Sequence, residues 1–232
     1  MRCAILLTGF YRSFQQTWPS IEKLVKAHQM HVFISTWDKD SWASDKSTFT
    51  RQITKDDFPD SKHIVSIDVN DIDLYNSNRV VWKPNFRLND VMNTDSRAAE
   101  HGPFWANRLR DQWYLVKLGW NRIKHYGLDY NLILRSRLDI AIHTLSLKDP
   151  DGKIIVPQDI GGWNYTDHMA YGGYHAMNKY CTFYDHMQSV YDDYNVDPTH
   201  AVEFPRFYLA NTPKPIKYQI DNSIKYDIVI LK

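Results

Sequence analysis

Cysteine is almost missing from this chain: among 232 residues only Cys3 and Cys181 occur. Two isolated thiols exclude a disulfide framework and a cysteine-based zinc site. Cys3 opens an apolar strand pattern and Cys181 falls on an apolar helix face, so both read as buried thiols. No apolar run approaches the roughly 18 residues that a membrane-spanning helix needs. The apolar stretch in MRCAILLTGF is too short for a signal peptide and runs straight into a strand-turn pattern, so a soluble, cytoplasmic protein is expected. A net charge of +1 gives no bulk attraction to nucleic acid or to an anionic membrane. Neither G-x-G-x-x-G nor G-K-[ST] is present, which argues against a dinucleotide enzyme and against a P-loop kinase. Internal repeats and low-complexity tracts are also lacking.

Aromatic residues are plentiful, with 8 Trp and 15 Tyr. Rings of this kind suit clefts for sugars and bases, and they equally fill cores. The length fits one large domain over residues 1–232 with a long insertion. In chain order, Cys3 to Leu7 reads as a strand broken by Thr8-Gly9. A helix with Pro19 in its first turn follows, and His31 to Trp37 (HVFISTW) makes a second strand with Asp38 directly after it. Strand, glycine turn, helix, strand predicts a βαβ opening and a mostly parallel sheet. Gly9, Arg12 and Ser13 place a tight turn, a cation and a hydroxyl where a phosphate can sit near a helix N-terminus, although a lone glycine is also just a turn.

His63 to Val69 predicts a third strand. Asn70 to Pro103 is polar with little periodicity and reads as a long functional loop or lid, with Trp82, Phe86 and Arg87 as its anchors. Phe104 to Tyr126 has a helical period, and its aromatic stripe of Trp105, Trp113 and Trp120 reads as core. Its other face carries Arg108, Arg110 and Asp111, any of which can lean over a binding edge. Beyond residue 140 come a strand at Lys153 to Val156, a Gly161-Gly162-Trp163 loop, and Asp167-His168 ahead of a short apolar piece. A helix over Tyr174 to Tyr194, a short helix over Thr199 to Ala210 carrying Glu203, and two terminal strands complete the chain.

The stretch that organises the rest is Asp129 to Ile140, DYNLILRSRLDI. Leu132, Ile133 and Leu134 suit a strand buried on both faces. Arg135, Arg137 and Asp139 then appear at its carboxyl end, the edge where open α/β sheets bind ligands. If the chain stays extended, their alternation points all three to one side. Guanidiniums suit phosphate oxygens and a carboxylate suits a hard divalent cation. The plain alternative is a salt-bridged strand end.

L-L-T-G-F-x-R-S-F, V-F-I-S-T-W-D, R-S-R-L-D-I and D-H-M-A-Y-G, in that order and spacing, together resemble small GT-A glycosyltransferases. The likeness is to the nucleotide-sugar-dependent type encoded by large algal DNA viruses and by bacterial and phage glycan clusters. It spans roughly residues 1–40 and 105–210. The resemblance implies a GT-A-like α/β domain with a mostly parallel central sheet flanked by helices. It implies a nucleotide-sugar donor, a UDP-sugar above all, a glycan hydroxyl as acceptor, and for a viral protein the host cytoplasm. Family members hold Mn²⁺ or Mg²⁺ on a D-x-D at the end of a central strand. Here the matching residues are Arg137-Leu138-Asp139, so Asp139 is the implied metal ligand and Arg135 or Arg137 can supply the missing charge neutralisation. By the same resemblance Thr8, Gly9 and Arg12 hold the nucleotide and Trp37 and Asp38 touch uracil or ribose. Asp167 and His168 then fall at the acceptor side as catalytic residues.

Two other functions remain open at this stage. T-G-F-Y-R-S-F loosely resembles a phosphosulfate loop, which allows a sulfotransferase-like enzyme, although a Lys-rich or Gly-Thr-bearing loop is missing. A non-catalytic module binding nucleotide sugar or carbohydrate is the third reading.

Overall fold

The computed structural model describes residues 1–41, 49–79, 96–158, 167–194 and 203–229. Trp82, Phe86, Arg87 and the Gly161-Gly162-Trp163 loop lie outside the described residues. Strand β1 (Cys3–Gly9) leads into helix α1 (Phe14–His28) and strand β2 (His31–Trp37). A small hairpin of β3 (Lys39–Ser41) and β4 (Phe49–Gln52) precedes β5 (Ile64–Asn70) and the short α2 (Ile72–Asn78). The long α3 (Ser96–His125) then leads to β6 (Leu132–Arg137), β7 (Ile140–Thr144), β8 (Ile154–Pro157) and β9 (Met169–Gly172). Helices α4 (Tyr174–Cys181), α5 (Met187–Tyr194) and α6 (Glu203–Ala210) follow, and β10 (Tyr218–Asp221) and β11 (Lys225–Ile228) end the described chain.

Seven strands form the central sheet in the order β10-β8-β9-β6-β1-β2-β5. Strands β5, β2, β1 and β6 run parallel, and so do β8 and β10; β9 alone is antiparallel to its neighbours β6 and β8. The chain lays β2 and β5 on one side of β1, then returns to lay β6 on the other. The strand order therefore reverses between β1 and β6, where Thr8 pairs with Arg137. In open α/β sheets the crevice at such a reversal, beyond the carboxyl ends of the strands, is where ligands bind.

The period-two pattern of β1 explains how both faces are covered. Ala4 and Leu6 pack on the side of α3 with Trp113, Val116 and Trp120, whereas Cys3, Ile5 and Leu7 pack on the side of α1 with Phe14, Ile21 and Val25. Helix α3 comes closest at Gly119, where an added Cβ would stand 2.3 Å from Leu6 Cδ1 and 3.1 Å from Ser35 Cβ. Trp120 Nε1 donates to Asn178 Oδ1 at 2.8 Å and so ties α3 to α4.

Several boundaries differ from the sequence reading. Helix α1 begins at Phe14, so Pro19 lies inside it and not in its first turn. Phe14 is fully buried against Tyr11, Trp18 and Phe58, and that anchoring starts the helix early. The expected loop over 70–103 is narrower, because α2 occupies Ile72–Asn78 and α3 starts at Ser96; residues 80–95 lie outside the described set. Asp71 caps α2 by accepting from Leu74 N at 2.8 Å. The helix expected over Tyr174 to Tyr194 is broken by a tighter 3-10 turn at Phe183–His186. That turn shifts the phase of the apolar stripe, so that Phe183 is fully buried while Tyr184 is only half-buried.

Candidate functional site

The β6 strand does not stay extended to Asp139. It ends at Arg137, and a turn through Leu138 and Asp139 folds the carboxylate back onto the preceding guanidinium. Arg137 Nε donates to Asp139 Oδ1 at 2.8 Å and Nη2 donates to Oδ2 at 2.5 Å, a two-pronged pair. From the loop after β1, Arg12 Nη1 stands 3.6 Å from Asp139 Oδ2. The turn is pinned on three sides: Leu138 N donates to Thr8 O at 3.0 Å, Thr17 Oγ1 of α1 donates to Leu138 O at 2.6 Å, and Val229 N donates to Asp139 O at 2.9 Å.

The loop from β1 is itself shaped for this edge. Gly9 has φ +121°, with no described residue within 4 Å of where a Cβ would stand, and Arg12 takes a left-handed φ of 31° that non-glycine residues seldom adopt. Arg12 N donates to Asp40 Oδ1 at 2.9 Å, and its guanidinium lies 5.2 Å from the centre of the Phe10 ring. Thr8 is fully buried, and its hydroxyl has no hydrogen-bond partner among the described residues.

Asp167 and His168 reach the same edge from the start of β9. Arg137 N donates to His168 O at 3.1 Å, which fixes the two segments side by side. Asp167 Oδ2 accepts from Gln112 Nε2 of α3 at 2.8 Å, and Oδ1 lies 3.7 Å from His168 Nε2. His168 Nδ1 is 3.0 Å from the hydroxyl of Tyr226 on β11. The Asp167 side chain is only 12% exposed.

Charge controls the ionisation of these groups. Burial pushes the Asp139 carboxyl up, but Arg137 and then Arg12 outweigh it and hold the carboxyl below its ordinary value. For Asp167 burial again acts upward, and His168, Arg137 and Arg135 together bring the net shift down. Burial works against the Arg137 charge, yet Asp139 raises it above the usual value. Arg12 and Arg108 are both lowered, first by burial and also by the like charge of Arg137.

The expected site residues therefore divide. Thr8, Gly9, Arg12, Arg137, Asp139, Asp167 and His168 gather at the β1/β6 edge. Arg135 does not: it is fully buried in the core, donates from Nη1 to Asp167 O and lies 5.8 Å from the Trp113 ring centre. Trp37 is also withdrawn, because it is 2% exposed and packs against Tyr75 and Tyr114. Asp38 serves the scaffold, with Oδ1 accepting from Ile72 N at 3.0 Å and Oδ2 from Gln52 Nε2 at 3.1 Å. Of the three charges expected on α3, Asp111 is taken by Arg79 at 2.5 and 2.7 Å, Arg110 lies over Tyr184, and Arg108 is close enough to feel the like charge of Arg137. Gln112 and Tyr226 were missed. Gln112 follows Arg108 by one helical turn, a spacing that gives it the same face; nothing in the sequence pairs Tyr226 with His168.

The donor set does not fit the Mn²⁺ or Mg²⁺ that the family resemblance implied. Both Asp139 oxygens accept from Arg137, a second guanidinium flanks them, and no group of three His, Cys, Asp or Glu suited to a metal occurs among the described residues. A hard divalent cation needs several oxygen ligands and is repelled by adjacent guanidiniums.

No family model matches the chain, and no curated protein matches it. Among solved structures, one match is a glycosyltransferase involved in the glycosylation of the major capsid of PBCV-1. It shares 10% sequence identity and a TM-score of 0.44 over 95% of this chain and 82% of that chain. At that distance the likeness transfers neither fold class nor activity. No helix among the described residues is long and apolar enough to cross a membrane.

Proposed function

We propose that this chain is a glycosyltransferase of GT-A type that moves a sugar from a nucleoside diphosphate sugar, a UDP-sugar first among them, to a hydroxyl of a glycan. The observation that carries the reading is the meeting of Arg12 and Arg137 with the Asp167-His168 pair at the β1/β6 reversal. The resemblance of the four sequence motifs supports it independently. In this reading the guanidiniums face the diphosphate and stabilise the negative charge that grows on it as the glycosidic bond breaks. Asp167 accepts the proton of the attacking acceptor hydroxyl. Its carboxylate is ionised at neutral pH, while Gln112 orients it through Oδ2 and leaves Oδ1 toward His168. His168, backed by the Tyr226 hydroxyl, is the alternative proton acceptor.

The test is release of nucleoside diphosphate from a panel of sugar donors, with and without glycan acceptors, with a phosphosulfate donor in the same panel. Asp167→Asn is expected to leave donor affinity nearly unchanged and to slow transfer by about 10²–10⁴-fold. Full activity in that variant, with His168→Ala inactive, would move the base to the histidine. No turnover of any donor would leave a binding module.

A further inference from the structure

We propose that Arg12 and Arg137 hold the donor's diphosphate directly, in exchange for Asp139 and without a divalent cation between protein and phosphate. This rests on the nucleoside diphosphate reading above and adds the means of charge neutralisation. The carboxylate of Asp139 already takes two N–H groups of the Arg137 fork, at 2.8 and 2.5 Å. Phosphate oxygens offer that fork the same paired acceptors and carry more charge than one carboxylate. Arg12 Nη1 stands 3.6 Å from Asp139 Oδ2, so a phosphate oxygen that takes the place of that carboxylate meets the charge of both guanidiniums.

Asp139 is poorly able to serve a cation instead. Its backbone is fixed by Val229 N and by the pinned Leu138 turn, so only its side chain can rotate, and two guanidiniums stand over it. The R-x-D that replaces D-x-D therefore substitutes a fixed monovalent charge for a bound ion. Among the described residues nothing stands within 4 Å of the Cβ position of Gly9, at the reversal between β1 and β6 where the phosphate would lie.

The experiment is calorimetry on the full chain with inorganic pyrophosphate, first in EDTA and then in excess Mg²⁺. Binding is expected in EDTA, with no gain from the metal. Arg12→Gln, at a side chain 20% exposed, is expected to weaken it by about 10- to 100-fold. Asp139→Asn is expected to tighten it, because the competitor for both guanidiniums is gone, whereas a metal ligand lost at that position would weaken it. Binding only with Mg²⁺, binding in neither buffer, or wild-type affinity in Arg12→Gln each overturns the proposal. If Asp139→Asn fails to fold, the EDTA comparison and Arg12→Gln still decide. Pyrophosphate bound in EDTA with no turnover of any sugar donor would defeat the glycosyltransferase reading and leave the arginine site standing; turnover that requires Mg²⁺ would do the reverse.

Discussion

Gly9 shows how one residue can be required for its backbone alone. No described residue lies within 4 Å of its Cβ position, yet φ +121° is a conformation that L side chains rarely adopt. Gly9→Ala is expected to cost about 1–3 kcal/mol, read as a lower denaturant midpoint with an unchanged slope. An unchanged midpoint would mean that the loop relaxes freely and is not held by the site. The charges of Arg137 and Asp139 were both legible in the sequence, and their pairing is the salt-bridged strand end given as the plain alternative, not the shared outward direction that alternation predicts. The alternation rule presumes an extended chain, and the turn at Leu138 cancels it. Arg135 shares the face of Arg137 on the extended β6 but lies two residues further from its carboxyl end, so the core beside Trp113 covers it.

At the scale of elements, α1 and α3 position the site from opposite faces of the sheet. From α1, Thr17 reaches through the core to the Leu138 carbonyl at 2.6 Å. Thr17→Val removes that donor and leaves a buried carbonyl unmet, which is expected to cost about 1–3 kcal/mol. Because the Leu138 turn also aims Asp139, pyrophosphate affinity is expected to change as well, and calorimetry on the folded variant reads it. From α3, Gly119 sets how closely the helix approaches β1. Gly119→Val would drive side-chain atoms into Leu6 and Ser35 and is expected to destabilise by about 1–3 kcal/mol in a thermal melt. A neutral result would show that α3 can slide away from the sheet, and with it Arg108 and Gln112.

For the whole molecule, the acid side of the stability curve is set in part at the site. Asp139 and Asp167 both have folded-state pKa values below the ordinary one, which is about 3.9 in an unfolded chain. Groups of that kind contribute stability that is complete above the unfolded value and is lost as pH falls through the folded one. Melting temperature is therefore expected to drop as pH goes below about 4, and the Asp139→Asn variant, less stable at neutral pH, is expected to lose less over the same window. Parallel curves for the two proteins would show that Asp139 gives no net stability to the fold. The comparison must be made without phosphate, since an anion on the guanidiniums would stabilise the folded state on its own account.

Local pattern was enough to place β1, β2, β5 and β6, the α1 and α3 amphipathic faces and the buried thiols, because each depends on residues near in sequence. The hydrophobic period of β1 and the central strand required burial on both faces, and Arg137 and Asp139 marked where the central strand ends. Tertiary structure decided what no local pattern encodes. It set β9 antiparallel between β6 and β8, closed Trp37 inside an aromatic cluster, and spent Asp38 on a helix start. It also brought Tyr226 to His168 and Gln112 to Asp167 across 58 and 55 residues of chain. Above all it turned Asp139 back onto Arg137, since the direction of a side chain at a strand end is set by the turn that follows and by the helix and terminal strand that pin it.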